Sequence, residues 1–128
     1  ALSATAQRLL RFSKLYPEDF DRLSDMKVEN HALSAIHGSY ASIQGIDLSG
    51  IKQLRLRTTG FGGAFEVHVD SLNGQRIAVF LLNPKVKEAQ ELSSAVAQVE
   101  GKHDLYLLYI NNSLRFQQAP VEWLYFKQ

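Results

Sequence analysis

The sequence predicts an all-β domain, a sandwich or barrel of short antiparallel strands. Three observations predict it. From Gly38 onward, hydrophobic residues recur with the two-residue period of a strand rather than the helical period of about 3.6. Turn-forming residues fall between these runs at short, regular intervals. The chain has 128 residues, which suits a single domain, residues 1–128, built around one core.

The first 38 residues carry the weaker pattern. Residues 1–7 read as a frayed start, and residues 8–12 can form a strand. Pro17-Glu18-Asp19 is turn-like, and residues 26–29 can form another strand. From there seven strands are expected: 39–46, 51–58, 64–70, 75–82, 92–98, 104–110 and 120–127. Leu54, Leu56 and Thr58 alternate with Arg55 and Arg57. Phe65, Val67 and Val69 alternate with Glu66, His68 and Asp70. Each run has one face to bury. Leu105, Leu107 and Tyr109 alternate with Tyr106, Leu108 and Ile110, so that strand is apolar on both faces. It is expected to be central and covered on both sides.

Between the runs, Asn73-Gly74 is a strong hairpin signal because both residues tolerate positive φ. Thr59-Gly60-Phe61-Gly62-Gly63 reads as a flexible loop. Lys87, Glu88, Ala89 and Gln90 give residues 85–99 some helical propensity. That stretch is read as a loop, with at most one helical turn, leading into a strand at Leu92. Trp123 lies in the closing strand and is expected to fill the interior.

Composition excludes several function classes. Hydrophobic residues make up 45% and charged residues 21%, as in ordinary globular proteins. The formal net charge is +1 and the basic residues are scattered, which argues against nucleic acid as a partner. With no Cys there is no disulfide, thiolate nucleophile or cysteine-bound zinc. No stretch approaches the roughly 20 apolar residues of a membrane span. The chain starts at Ala1 and is expected to be a piece of something longer.

No catalytic motif is present. The four histidines, His31, His37, His68 and His103, have no zinc-binding spacing, and no nucleophile elbow or phosphate loop occurs. Glu66 and Asp70 share a strand face, but four residues along a strand separate them by about 13 Å. A glycosidase pair needs about 5–10 Å. The chain is therefore read as non-catalytic. His103 is expected to make a turn hydrogen bond, and His68 to lie on the polar face of its strand.

Four segments in order resemble one known family. Gly38-Ser39-Tyr40-Ala41-Ser42-Ile43, continuing through Gly45-Ile46-Asp47-Leu48-Ser49-Gly50-Ile51, is the first. Gly62-Gly63-Ala64-Phe65-Glu66-Val67-His68-Val69-Asp70-Ser71 is the second, with His68 where Arg is usual. Gly101-Lys102-His103-Asp104-Leu105-Tyr106-Leu107 and Val121-Glu122-Trp123-Leu124-Tyr125-Phe126 complete the set. Together they resemble carbohydrate-binding modules of family 6.

The resemblance implies a jelly-roll β-sandwich of two antiparallel sheets that binds a polysaccharide or oligosaccharide. It implies a covalently linked catalytic domain held near its substrate, with this domain as a C-terminal module of a secreted bacterial protein, extracellular or periplasmic. It also implies a structural calcium held by carboxylates of the first and last strands. Tyr16-Pro17-Glu18-Asp19-Phe20 is similar to the family's first-strand pattern. That places Glu18 and Glu122 at ligand positions, with Tyr16 where a second early Glu is expected.

Sugars are recognised by aromatic rings stacked on pyranose faces, with amides and carboxylates bonding the hydroxyls. Strand alternation puts the approach to Tyr40 and the 59–63, 83–91 and 111–119 loops at one end of the sandwich. The 47–50, 71–74 and 100–103 turns share the other. The longer loops favour the first end. Tyr40, Phe61, Asn111, Asn112 and Phe116 are its candidate sugar contacts. The 83–91 loop lacks the family's usual Trp, and Pro120 replaces the usual sugar-binding Asn. Arg55, Arg57, Glu66 and His68 form a second candidate surface, expected on one sheet face. The rival reading is a structural or protein-interaction sandwich that has lost sugar binding.

Overall fold

The computed structural model of the chain describes residues 14–59, 62–115 and 117–128. The frayed start and the strand expected over residues 8–12 lie outside them, as do Phe61 and Phe116. The described strands are β1 (Lys14–Leu15), β2 (Arg22–Ser24), β3 (Lys27–Glu29), β4 (Ala32–Ala35), β5 (Tyr40–Asp47), β6 (Gln53–Thr58), β7 (Ala64–Val69), β8 (Arg76–Leu81), β9 (Gln90–Ala95), β10 (Lys102–Ile110) and β11 (Ala119–Lys127). A short 3-10 turn covers Pro17–Asp19.

Every strand pair is antiparallel. The first sheet runs β3-β4-β11-β6-β9, with β1 also on β11; the second runs β2-β5-β10-β7-β8. The result is the two-sheet sandwich expected from the resemblance. Inner-face residues alternate along each strand. Leu54 and Leu56 of β6 face Phe65 and Val67 of β7, and Leu105, Leu107 and Tyr109 of β10, across one core. Each fully buried Leu or Phe contributes about 1.5–3 kcal/mol of apolar burial.

The seven long-range strands form close to their expected bounds. Residues 85–89 contain no helix, and β9 begins at Gln90 rather than Leu92. The hairpin at Asn73-Gly74 forms as well. Gly74 N donates to Ser71 O at 3.0 Å, and a Cβ on Gly74 would fall onto the Val69 carbonyl oxygen. Strands β1, β2 and β4 were not expected, because two to four residues are too few to display alternation. The β3–β4 turn is tight. Glu29 pairs with Ala32, while Asn30 and His31 hold φ of 51° and 64°, the left-handed pair of a type I′ turn.

Three expectations need correction. First, β10 is central, but among the described residues only one of its faces is covered. Tyr106, Leu108 and Ile110 are half-buried on the outer face of the second sheet, where no third layer of described residues packs. Second, Trp123 is not in the interior. A register shift between Val121 and Trp123 turns both Glu122 and Trp123 outward, leaving Leu124 and Phe126 to fill the core. Third, Arg55 and Arg57 do not share a face with Glu66 and His68. The arginines lie on the outer face of the first sheet and the other two on the outer face of the second.

Candidate functional site

The strand directions gather the 36–39, 59–63, 82–89 and 111–118 connections at one end, as the sequence indicated. Asn111 builds this end rather than lining it. It is 5% exposed. Its Nδ2 donates to Tyr109 Oη at 3.0 Å, and its Oδ1 accepts from Leu114 N at 2.9 Å. The Asn111 backbone N–H donates to His37 Nδ1 at 3.0 Å. Tyr109 Oη in turn donates to Gly62 O at 3.0 Å. Burial raises the Tyr109 phenol above its ordinary value, and the Asn111 bond opposes that shift. Both ends of the Asn111 amide are used, so the structure corrects its expected role as a sugar contact. Asn112 is exposed on the same loop.

Tyr40 is the first residue of β5, and its ring lies on the outer face of the second sheet rather than among the loops. There it meets a residue that sequence reasoning assigned to a covered face. The Tyr40 and Tyr106 ring centroids are 5.9 Å apart with planes tilted by 54°. Register explains the meeting. One row across the sheet is Ser24–Tyr40–Leu108–Glu66–Val79, and the next is Arg22–Ser42–Tyr106–His68–Arg76. Tyr40 and Tyr106 are therefore diagonal neighbours on adjacent strands, within reach of each other.

Polar groups flank the rings. His68 Nε2 lies 2.9 Å from Glu66 Oε1, and His68 Nδ1 lies 3.0 Å from Gly74 O. Arg76 Nη1 stands 3.6 Å from Glu66 Oε2. The Glu66 side chain is 22% exposed, so it is oriented by its neighbours yet open to a ligand. An aromatic pair beside a fixed carboxylate can stack a pyranose ring and accept bonds from its hydroxyls. The signal for this site was the second apolar face of β10, legible in Tyr106, Leu108 and Ile110 but assigned to burial.

A polar cleft of about 320 Å³ opens between the β3–β4 hairpin and the start of β11. Glu29, Asn30, Ser34, Thr59, Gln118 and Glu122 contribute its polar groups, and no aromatic residue lines it.

The expected calcium ligands do not fit a calcium site. Glu122 Oε2 accepts from Arg57 Nε at 2.6 Å, and Arg57 Nη1 bonds Glu91 Oε1 at 3.2 Å. Glu18 is exposed in the 3-10 turn. Among the described residues no group of three or more metal-ligating side chains is gathered, whereas calcium takes six to eight oxygens. The guanidinium already supplies the positive charge at Glu122.

Two antiparallel sheets packed on one core, with the connections collected at their ends, define a jelly-roll β-sandwich. Comparison with solved structures makes the fold specific: it is that of the family 6 carbohydrate-binding modules. A family 6 module from Clostridium cellulolyticum in complex with xylose superimposes with a TM-score of 0.81 at 20% identity, covering 91% of this chain and 98% of that one. A module of family 36 in complex with calcium and xylotriose gives 0.72 at 11% identity, covering 91% and 100%. A glycoside hydrolase family 43 arabinoxylan arabinofuranohydrolase from Bacillus subtilis gives 0.79 at 16% identity. That match covers 90% of this chain but 27% of the hydrolase. No protein-family model matches the chain, and no curated protein matches it in sequence.

Proposed function

We propose that the domain is a non-catalytic saccharide-binding module whose ligand lies across the outer face of the second sheet. The observation that carries this reading is the Tyr40–Tyr106 pair, half-buried on the sheet face beside a Glu66 carboxylate that His68 and Arg76 hold in place. The rings supply apolar contact, Glu66 accepts hydrogen bonds from hydroxyls, and the exposed Gln44 of β5 adds a polar edge. The complexes with xylose and xylotriose on the same fold support a neutral glycan as the ligand.

The same surface gives no support to hydrolysis. Asp104, the carboxylate within β10, accepts a backbone bond from Gly45 at 3.1 Å and is engaged in the local bulge. In this reading the module tethers a linked catalytic domain to its polysaccharide outside the cell or in the periplasm. Effective concentration then makes modest affinity sufficient. The multidomain hydrolase that shares the fold supports such a linkage. Calcium is given no part, because Arg57 occupies Glu122.

A protein-contact role draws on Leu81, 72% exposed at the edge of the same face. Nuclear magnetic resonance of the tyrosine rings separates the two. Titration with xylohexaose or laminarihexaose should shift the Tyr40 and Tyr106 signals and leave the buried Tyr109 signal in place. Unshifted rings with every oligosaccharide would leave the protein-contact reading standing.

A further inference from the structure

The outer face of the first sheet carries a second set of ligand-type residues. Trp123 and Tyr125, consecutive outward positions of β11, are both half-buried. Register places Lys14, Tyr125, Arg55 and Ser93 in one row across β1, β11, β6 and β9. The next row is Trp123, Arg57 and Glu91, and the row on the other side is Lys127, Gln53 and Ala95. The Cα atoms of Lys14 and Arg55 flank Tyr125, one on each side, and stand two strand spacings, about 10 Å, from each other.

The charges divide along these rows. Arg57 is matched by Glu91 and Glu122 at 3.2 and 2.6 Å, so its charge is more than compensated and none is left for an anion. Among the described residues, Arg55 bonds only the neutral Gln53, through Nε at 3.2 Å. Lys14 places its ammonium 4.5 Å over the Trp123 ring. Among the described residues, Lys14, Arg55 and Lys127 have no carboxylate partner. An aromatic ring set between cations that no described carboxylate compensates, on an outer sheet face, is complementary to a ligand with both ring faces and negative charge.

We infer that this face binds an acidic saccharide, one bearing carboxylate or sulfate groups, with Tyr125 beneath a sugar ring and Arg55 and Lys14 on its anionic groups. The guanidinium of Arg55 can take a carboxylate or sulfate through two parallel bonds, which an ammonium cannot. The ion-paired Arg57 row bounds the site on the side of the long loops. The inference extends the saccharide-binding reading of the domain, but it uses none of the residues of the other face.

Affinity electrophoresis through gels containing polygalacturonate or dextran sulfate tests it, with poly-glutamate and neutral xylan gels alongside. The wild-type domain should be retarded by an acidic saccharide, and less so as salt rises. Arg55→Gln and Tyr125→Ala should each weaken that binding about tenfold without lowering the melting temperature appreciably. The double variant Tyr40→Ala/Tyr106→Ala should keep it while losing the neutral glycan, so the two faces fail or stand separately. No retardation by either acidic saccharide would overturn the inference. So would binding that persists in both Arg55→Gln and Tyr125→Ala, or equal retardation by poly-glutamate, which would mark an acidic polypeptide site.

Discussion

Arg57 donates from its Nε to Glu122 Oε2 at 2.6 Å, joining the two central strands of the first sheet at the bulge that turns Glu122 outward. With Glu91 as its second partner, one guanidinium ties β9, β6 and β11 together. A carboxylate expected to hold a divalent cation is held by the protein's own cation.

That pairing predicts indifference to chelators. Thermal unfolding with calcium and with excess chelator should give the same midpoint, since the Arg57 guanidinium already neutralises Glu122. Arg57→Ala should lower stability by only about 0.5–1 kcal/mol, because the pair is largely exposed. A lower midpoint in chelator would show that a bound cation stabilises the fold.

Asn111 sets a larger effect. Replacing it by Ala removes a buried donor and acceptor, leaves Leu114 N–H without its acceptor and costs Tyr109 Oη its incoming bond, while the Tyr109 bond to Gly62 O remains. The expected cost is about 1–3 kcal/mol. A drop in melting temperature of roughly 4–12 °C would register it. An unchanged midpoint would mean that the loop is not organised by this amide.

His103 predicts a pH dependence. Its Nδ1 lies 3.0 Å from Asp70 Oδ2 and its Nε2 2.8 Å from Glu100 O. The bond to Asp70, and after it the bond to the Glu100 carbonyl, raise the imidazole above its ordinary 6.5. Because the folded value is the higher one, the contribution to stability is complete below the unfolded value. It is lost as pH rises through the folded one. Urea midpoints measured from pH 5 to pH 9 should therefore fall over that window in the wild type and lose this component in His103→Gln. Identical pH profiles for the two proteins would contradict the assignment.

The sandwich was legible because period-two patterning and turn residues act locally. Phe65 and Val67 must face one way and Glu66 and His68 the other, whatever the rest of the chain does. Strand alternation also placed the four long connections at one end correctly. The faces of the sheets were less legible. Periodicity reports that Tyr106 and Leu108 lie opposite Leu105 and Leu107, but not whether another layer covers them. The one-residue slip at Glu122 sent Trp123 outward, and such a bulge leaves no mark in an apolar run. Which sheet receives Arg57 and which Glu66 depends on crossovers between distant strands. No local pattern encodes that choice, so the Tyr40–Tyr106 pair emerged only from the register of β5 against β10.

The account rests on the two tyrosines, and one measurement tests them together. Wild type and the Tyr40→Ala/Tyr106→Ala variant are run side by side through native gels containing xylan, β-1,3-glucan or mixed-linkage β-glucan. The account predicts that at least one gel retards the wild type and that the variant, with an unchanged melting temperature, migrates as it does without polysaccharide. Equal retardation of the two proteins, or free migration of the wild type in all three gels, would contradict it.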